Sequence, residues 1–158
     1  PDFRAGERAF QILTQVAGRA GRGTDQGRAI IQTFQPEHYA VVNAASQDFG
    51  AFYQTELELR RQYANPPFTR LIRLGFSDPD PDVARLDAMD LAASLGYQAE
   101  IAGGTPSVVI GPAPSFPTRV RGRTRWHIII KGSQPELLLD RTDLPAGWTV
   151  DVDPISVS

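Results

Sequence analysis

The chain has 158 residues, 41% of them hydrophobic and 22% charged, enough for one ordinary domain or two small ones with a folded core. Its formal net charge is −2, so any nucleic-acid contact must come from local basic clusters and not from a global field. Cysteine is absent, which excludes disulfides and thiolate metal sites within this segment and fits a cytoplasmic protein.

No run approaches the ~18–20 apolar residues of a membrane span. Pro1 stands where an initiator Met is expected, and Pro1-Asp2-Phe3-Arg4 has no signal-peptide character. The expectation is a piece of a longer protein. Phe10, Leu13, Val16, Ala17 and Ala20 then recur at helical steps over residues 5–20. Glycines at Gly21, Gly23 and Gly27 end that helix, and residues 28–34 (RAIIQTF) read as a short strand stopped by Pro36. Two further helices are expected over 38–45 and 49–63. The second places Phe49, Phe52, Tyr53 and Leu57 on one stripe and leaves Glu56, Glu58, Arg60 and Arg61 largely solvated.

Asn65-Pro66-Pro67 is the strongest breaker and marks the expected domain boundary. Beyond it Ile72, Leu74 and Phe76 alternate as a strand, and a turn at Asp78-Pro79-Asp80-Pro81 leads into a helix over 82–95 closed by Gly96. Val108-Val109-Ile110 and residues 126–131 read as two strands. Ser133-Gln134-Pro135-Glu136 has the form of a capping box before Leu137 to Leu139, and Trp148, Val150 and Val152 alternate as a last strand. The order β-α-β-β-α-β is that of a split βαβ, ferredoxin-like α+β unit.

The chemistry concentrates in Gln15-Val16-Ala17-Gly18-Arg19-Ala20-Gly21-Arg22. At ~100° per residue, Gln15, Arg19 and Arg22 fall within roughly 60° of one another on a helix. Phe10, Leu13, Ala17 and Ala20 lie opposite. One face therefore packs while the other presents an amide and two guanidiniums, with little side-chain bulk at Gly18 and Gly21. Paired guanidiniums suit a polyphosphate, because each donates two parallel hydrogen bonds. A solvated basic helix end explains a lone Arg-x-x-Arg equally well, but not the glutamine and both glycines in register.

A second basic cluster lies in residues 117–125 (PTRVRGRTR): Arg119, Arg121, Arg123 and Arg125, with Lys131 at the end of the following strand. Trp126 and His127 adjoin it, which suits a DNA-contacting loop. The plainer reading is a soluble hairpin with Trp126 in the core beside Ile128 and Ile130. His38 and His127, the only histidines, are too isolated from acidic neighbours for a metal or a catalytic dyad. Asp151 and Asp153 read as polar contacts of the fold rather than catalytic carboxylates.

The Q-x-x-G-R-x-G-R block resembles motif VI of superfamily 2 helicases, the arginine-finger motif of the second RecA-like lobe. Flanking text narrows the resemblance to the primosomal protein N′ (PriA) family of replication-restart DNA helicases, as a C-terminal fragment. The blocks are Asp2 to Ala5, Gly6-Glu7-Arg8, Gln11 to Thr14, Ile31 to Phe34, Pro36-Glu37-His38 and Pro66-Pro67-Phe68. Gly111-Pro112-Ala113-Pro114, Arg125-Trp126 and Asp151-Val152-Asp153-Pro154 complete them. Glu7 and Arg8 match that text, though a surface ion pair accounts for them as well.

That resemblance implies Arg22 as the arginine finger on the transferring γ-phosphoryl group, Arg19 holding phosphate oxygens, and Gln15 coupling nucleotide to the opposing lobe. It implies ATP with Mg2+ in the complete protein. Residues 1–45 would be the tail of an α/β RecA-like lobe, 46–65 a helical connector, and 66–158 a fork-binding domain similar to a small ribosomal-protein fold. The phosphate loop, the acidic metal box and the family's zinc-binding cysteines are missing here and expected upstream, so this segment alone is expected to be inactive. Implied partners are branched and single-stranded DNA, single-stranded-DNA-binding protein and primosome proteins, with no membrane, in the bacterial cytoplasm at the nucleoid. The implied activity is ATP-dependent 3′-to-5′ unwinding at stalled forks. The competing readings are a non-catalytic fork-binding scaffold with a degenerate motor, and an independent interaction module after Pro66.

Overall fold

A computed structural model describes residues 2–20, 28–101 and 107–157. The chain divides into two compact units, Pro1–Ala64 and Asn65–Ser158.

Unit 1 is helical. Helix α1 spans Ala5–Ala20, α2 Tyr39–Ser46 and α3 Phe49–Gln62. Each of the last two begins on a side-chain cap: His38 Nδ1 accepts from the Ala40 N–H at 3.2 Å, and Asp48 Oδ1 accepts from the Ala51 N–H at 2.8 Å. The small core is Phe10, Ala40, Ala44 and Phe52, with the Phe10 and Phe52 rings stacked 3.9 Å apart. Alanines on α2 let its backbone approach the aromatic rings closely.

Three sequence expectations fail in this unit. Residues 28–34 form no strand; Ile30 and Phe34 are fully exposed. A strand needs a paired neighbour, and the described residues of unit 1 supply none. Of the expected stripe on α3 only Phe52 is buried, while Phe49 and Tyr53 stand exposed. Glu56, expected in solvent, is 7% exposed, because it accepts from Tyr39 Oη at 2.6 Å and from Arg60 Nε at 2.8 Å. Polar bonds replaced water as its partner.

Unit 2 contains strand β1 (Arg70–Asp78), helix α4 (Pro81–Ile101), β2 (Val108–Val120), β3 (Arg123–Gly132), α5 (Glu136–Leu139) and β4 (Thr149–Val152). The strands form one antiparallel sheet in the order β2-β3-β1-β4. Ile72 and Leu74 of β1 and Ile128 and Ile130 of β3 alternate onto one face. There they meet Ala88, Leu91 and Leu95 of α4, together with Leu138 and Trp148. Each Leu or Ile among them contributes ~1.5–3 kcal/mol by leaving water.

Gly96 does not close α4, which runs on to Ile101. A mid-helix glycine costs only ~1 kcal/mol, and Leu95 and Ala99 on either side pack on the core. The capping box also fails: Pro135 precedes α5 without a side-chain cap, and Glu136 instead pairs with Arg70.

Residues 117–125 are not a loop. Strand β2 continues to Val120, β3 begins at Arg123, and only Arg121 and Gly122 turn, with φ of 50° and 79°. Two successive positive φ values give the tight turn whose twist matches paired strands. Pro112, Pro114 and Pro117 are tolerated because β2 lies at the sheet edge and pairs on one side only.

Candidate functional site

Helix α1 of unit 1 places Gln15 and Arg19 one turn apart, both exposed. They line a cleft of about 460 Å3 together with Phe10, Gln11, Thr14, Gly18 and Phe49. The floor is aromatic and the rim carries amide, hydroxyl and guanidinium groups. Gly18 has no neighbouring atom within 4 Å of where a side chain would begin, so the cleft stays open beside Arg19. Among the described residues Arg19 has no carboxylate partner. Arg22, expected as the third member, lies outside the described residues.

The opposite end of α1 is fixed by an ion-pair network the sequence did not reveal. Arg60 of α3 donates to Glu7 at 2.9 Å and to Glu56 at 2.8 Å, and it stacks over the Phe3 ring at 5.4 Å. Arg8 pairs with Asp2 at 2.8 Å. Burial disfavours the Arg60 charge, but its hydrogen bonds to Glu56 and Glu7 outweigh that and hold it above the ordinary arginine range. Burial first, and then the bond to Glu56, push the Tyr39 phenol well above its usual value.

In unit 2 the arginines of the β2–β3 ribbon bond to neutral acceptors. Arg119 donates to the Gly122 carbonyl at 3.3 Å, and Arg125 to the Pro117 carbonyl at 3.4 Å. Arg123 donates to the hydroxyl and carbonyl of Ser77. Arg121 sits in the turn itself. None of the four pairs with a carboxylate among the described residues, so their charge remains uncompensated. Lys131 is not part of this group. It lies six residues along β3 from Arg125, roughly 20 Å at ~3.3 Å per residue, and donates to Asn65 Oδ1 at 3.1 Å. Burial lowers its pKa from the ordinary lysine value.

Trp126 packs against the core beside Ile128 and Ile130, as its strand face implies. Asp153 is a fold contact: it accepts from Arg70 at 2.9 Å and from the Leu71 N–H at 3.4 Å. The Arg70 guanidinium beside it holds its carboxyl below the usual carboxylate range. Sequence reasoning passed over Arg73 and Ser115, and set His127 beside the basic cluster without a bonded partner. Arg73 donates to Ser115 Oγ at 3.1 Å, and that oxygen lies 3.2 Å from His127 Nδ1. Their separation by 42 and 12 residues left no local signal.

Among the described residues no three His, Cys, Asp or Glu side chains gather to hold a metal ion, and no helix is long and apolar enough to cross a membrane. The cleft's amide, hydroxyl and guanidinium donors fit phosphate oxygens, and its lining residues include no carboxylate to hold Mg2+.

The family model of the primosomal protein N C-terminal domain matches residues 61–155. The chain is 40% identical over 166 residues to the replication restart protein PriA of Treponema pallidum, covering 99% of this chain and 25% of that protein. It is 51% identical over 162 residues to that of Chlamydia trachomatis, covering 99% and 21%. To that of Bacillus subtilis it is 37% identical over 134 residues, covering 85% and 16%. It thus spans a quarter or less of the length of these relatives. The chain belongs to the primosomal protein N family, and residues 61–155 carry that family's C-terminal domain.

Proposed function

We propose that this chain forms one wall of the ATP site, and part of the DNA-binding surface, of an ATP-dependent DNA helicase acting in replication restart. The observation that carries this reading is the joint exposure of Gln15 and Arg19 on one cleft, in the register of motif VI. Unit 1 is then the tail of a RecA-like lobe. Arg19 and Arg22 reach phosphate oxygens across the cleft, and Arg22 stabilises charge on the transferring phosphoryl group. A polyphosphate needs donors held in place before the reaction, which the rigid attachment of α1 through Glu7 provides. Mg2+ is held by groups outside the described residues.

The order β-α-β-β-α-β and the sheet order β2-β3-β1-β4 support reading unit 2 as a split βαβ, ferredoxin-like unit, similar to a small ribosomal-protein fold. Its arginine ribbon follows the phosphates of branched DNA through Arg119, Arg121, Arg123 and Arg125. The relatives' name, replication restart protein, supports a role in replication restart. Action at stalled forks, 3′-to-5′ movement, and single-stranded-DNA-binding protein and primosome proteins as partners belong to the same proposal. ATP hydrolysis by the complete protein, with and without forked DNA, tests this reading. Turnover that rises with forked DNA supports it. Fork binding without any hydrolysis would favour a scaffold whose motor has decayed.

A further inference from the structure

The face of the unit 2 sheet opposite α4 holds a polar cavity of about 210 Å3. Its lining includes Arg73, Ser77, Ser115, Arg125, Trp126 and Thr149. Residues 73, 75 and 77 of β1 and 125 of β3 share this face by strand alternation, since Ile72, Leu74 and Ile128 point to α4. Strand β2 reaches over the cavity by bulging. Between Pro114 and Arg119 it advances five residues while β3 advances two, from Trp126 to Thr124. That excess carries Ser115 inward, where it is 1% exposed.

Arg73 is held in an unbalanced environment. One guanidinium nitrogen donates to Ser115, while Nε is buried without a partner. Burial and then the neighbouring Arg125 disfavour its charge, and cross-strand Asp151 offsets this only in part, without an ion pair among the described residues. Gly75 keeps the floor open: a methyl group there would come within 3.3 Å of Arg73 Nη1 and 2.8 Å of Thr149 Oγ1. A half-buried guanidinium facing a second one is costly unless an anion joins them. Two guanidiniums, a buried hydroxyl and an open floor are the donor set of an oxyanion site.

We propose that this cavity is a phosphate pocket, in which Arg73, Ser115 and Arg125 seat one backbone phosphate of the nucleic acid that the arginine ribbon follows. The proposal rests on the DNA-binding reading of unit 2. A nucleic-acid phosphate is the occupant the geometry favours, because Arg125 belongs to both the pocket and the ribbon. From it β3 runs back to Arg123, with Arg121 in the adjoining turn and Arg119 at the end of β2, and these charges have no carboxylate partner among the described residues. A strand of phosphates laid along the ribbon therefore arrives at the cavity.

The test is the salt dependence of forked-duplex binding by the complete protein, comparing wild type with Arg73→Gln, Arg73→Lys and, as the ribbon control, Arg123→Gln. Arg73→Gln is expected to weaken binding roughly tenfold and to make the log–log salt slope shallower by about 0.9, one phosphate's worth. Arg73→Lys keeps a charge in the same strand position and guards against misfolding. It should retain the slope and lose affinity severalfold, since an ammonium is a point charge without the guanidinium fork. If both Arg73 variants match wild type while Arg123→Gln loses slope, the pocket is overturned and the ribbon stands. If no variant changes the slope, the DNA reading of unit 2 falls with it. Displacement of DNA from wild type, but not from Arg73→Gln, by a peptide carboxylate better than by inorganic phosphate would assign the pocket to a protein terminus and overturn the proposal.

Discussion

Arg60 on α3 donates a 2.9 Å hydrogen bond to Glu7 on α1, 53 residues earlier in the chain. The same guanidinium also holds Glu56, which in turn accepts from Tyr39 on α2, so one cation ties all three helices of unit 1. Helix α1 carries Gln15 and Arg19 at its other end. The bridge therefore fixes the angle at which those side chains meet the cleft.

Arg60→Met should lower the stability of unit 1 by about 2–4 kcal/mol, because Glu56 would be left buried without its cation. Urea unfolding followed by helical circular dichroism reads the change. A loss below about 1 kcal/mol would mean that water replaces the pair and that the bridge does not hold α1.

The core of unit 2 depends on Leu95, fully buried between α4 and the sheet. Leu95→Ala should cost ~2–5 kcal/mol, through lost burial and the cavity left behind. Both tryptophans of the chain, Trp126 and Trp148, lie in this unit, so fluorescence during denaturant unfolding reports on it. Gly96→Ala, by contrast, should stabilise α4 by up to ~1 kcal/mol, since the added methyl meets nothing within 4 Å.

His127 gives unit 2 an acid-sensitive stability. Burial, and then Arg73 and Arg125, lower its pKa below the ordinary 6.5. The folded state therefore resists a proton that the unfolded chain takes up. The resulting stability is complete above pH 6.5 and is lost as pH falls from there to the folded-state pKa. Asp153, held below its ordinary 3.8 chiefly by the hydrogen bond from Arg70, loses its contribution only at pH values below that. The denaturation midpoint should fall between pH 7 and 5 in wild type and stay flatter in His127→Gln. Equal slopes in the two proteins would remove His127 from the account.

The ribbon and Lys131 should separate experimentally. Arg121→Ala and Arg123→Ala are expected to make the salt slope of fork binding shallower, each by up to about 0.9. Lys131→Met, roughly 20 Å from Arg125 along β3 and bonded to Asn65, should leave that slope unchanged. A slope change for Lys131→Met equal to the ribbon's would show that the contact surface runs the length of β3.

What the sequence made legible was local. Helix α1 was readable because Phe10 and Leu13 recur at helical spacing, and the clustering of Gln15 with Arg19 follows from that spacing alone. Strands β1 and β3 were readable from the alternation of Ile72 with Leu74 and Ile128 with Ile130. What stayed hidden depended on distant partners. Glu56 looks like a surface residue until Tyr39 and Arg60 are brought to it. The strand read at Val108–Ile110 was not carried on through Pro112, Pro114 and Pro117, because prolines fit a strand at an edge and no local rule places β2 there. Arg73 carries no local signal, and only the bulge at Ser115 makes it the base of a cavity.

The proposal that Gln15, Arg19 and Arg22 complete an ATP site is tested by DNA-stimulated ATP turnover of the complete protein carrying Arg22→Ala. Nucleotide and forked-DNA binding are expected to stay within about twofold of wild type, with turnover reduced by ~10³ or more, the range an arginine finger supplies. Turnover equal to wild type would contradict it.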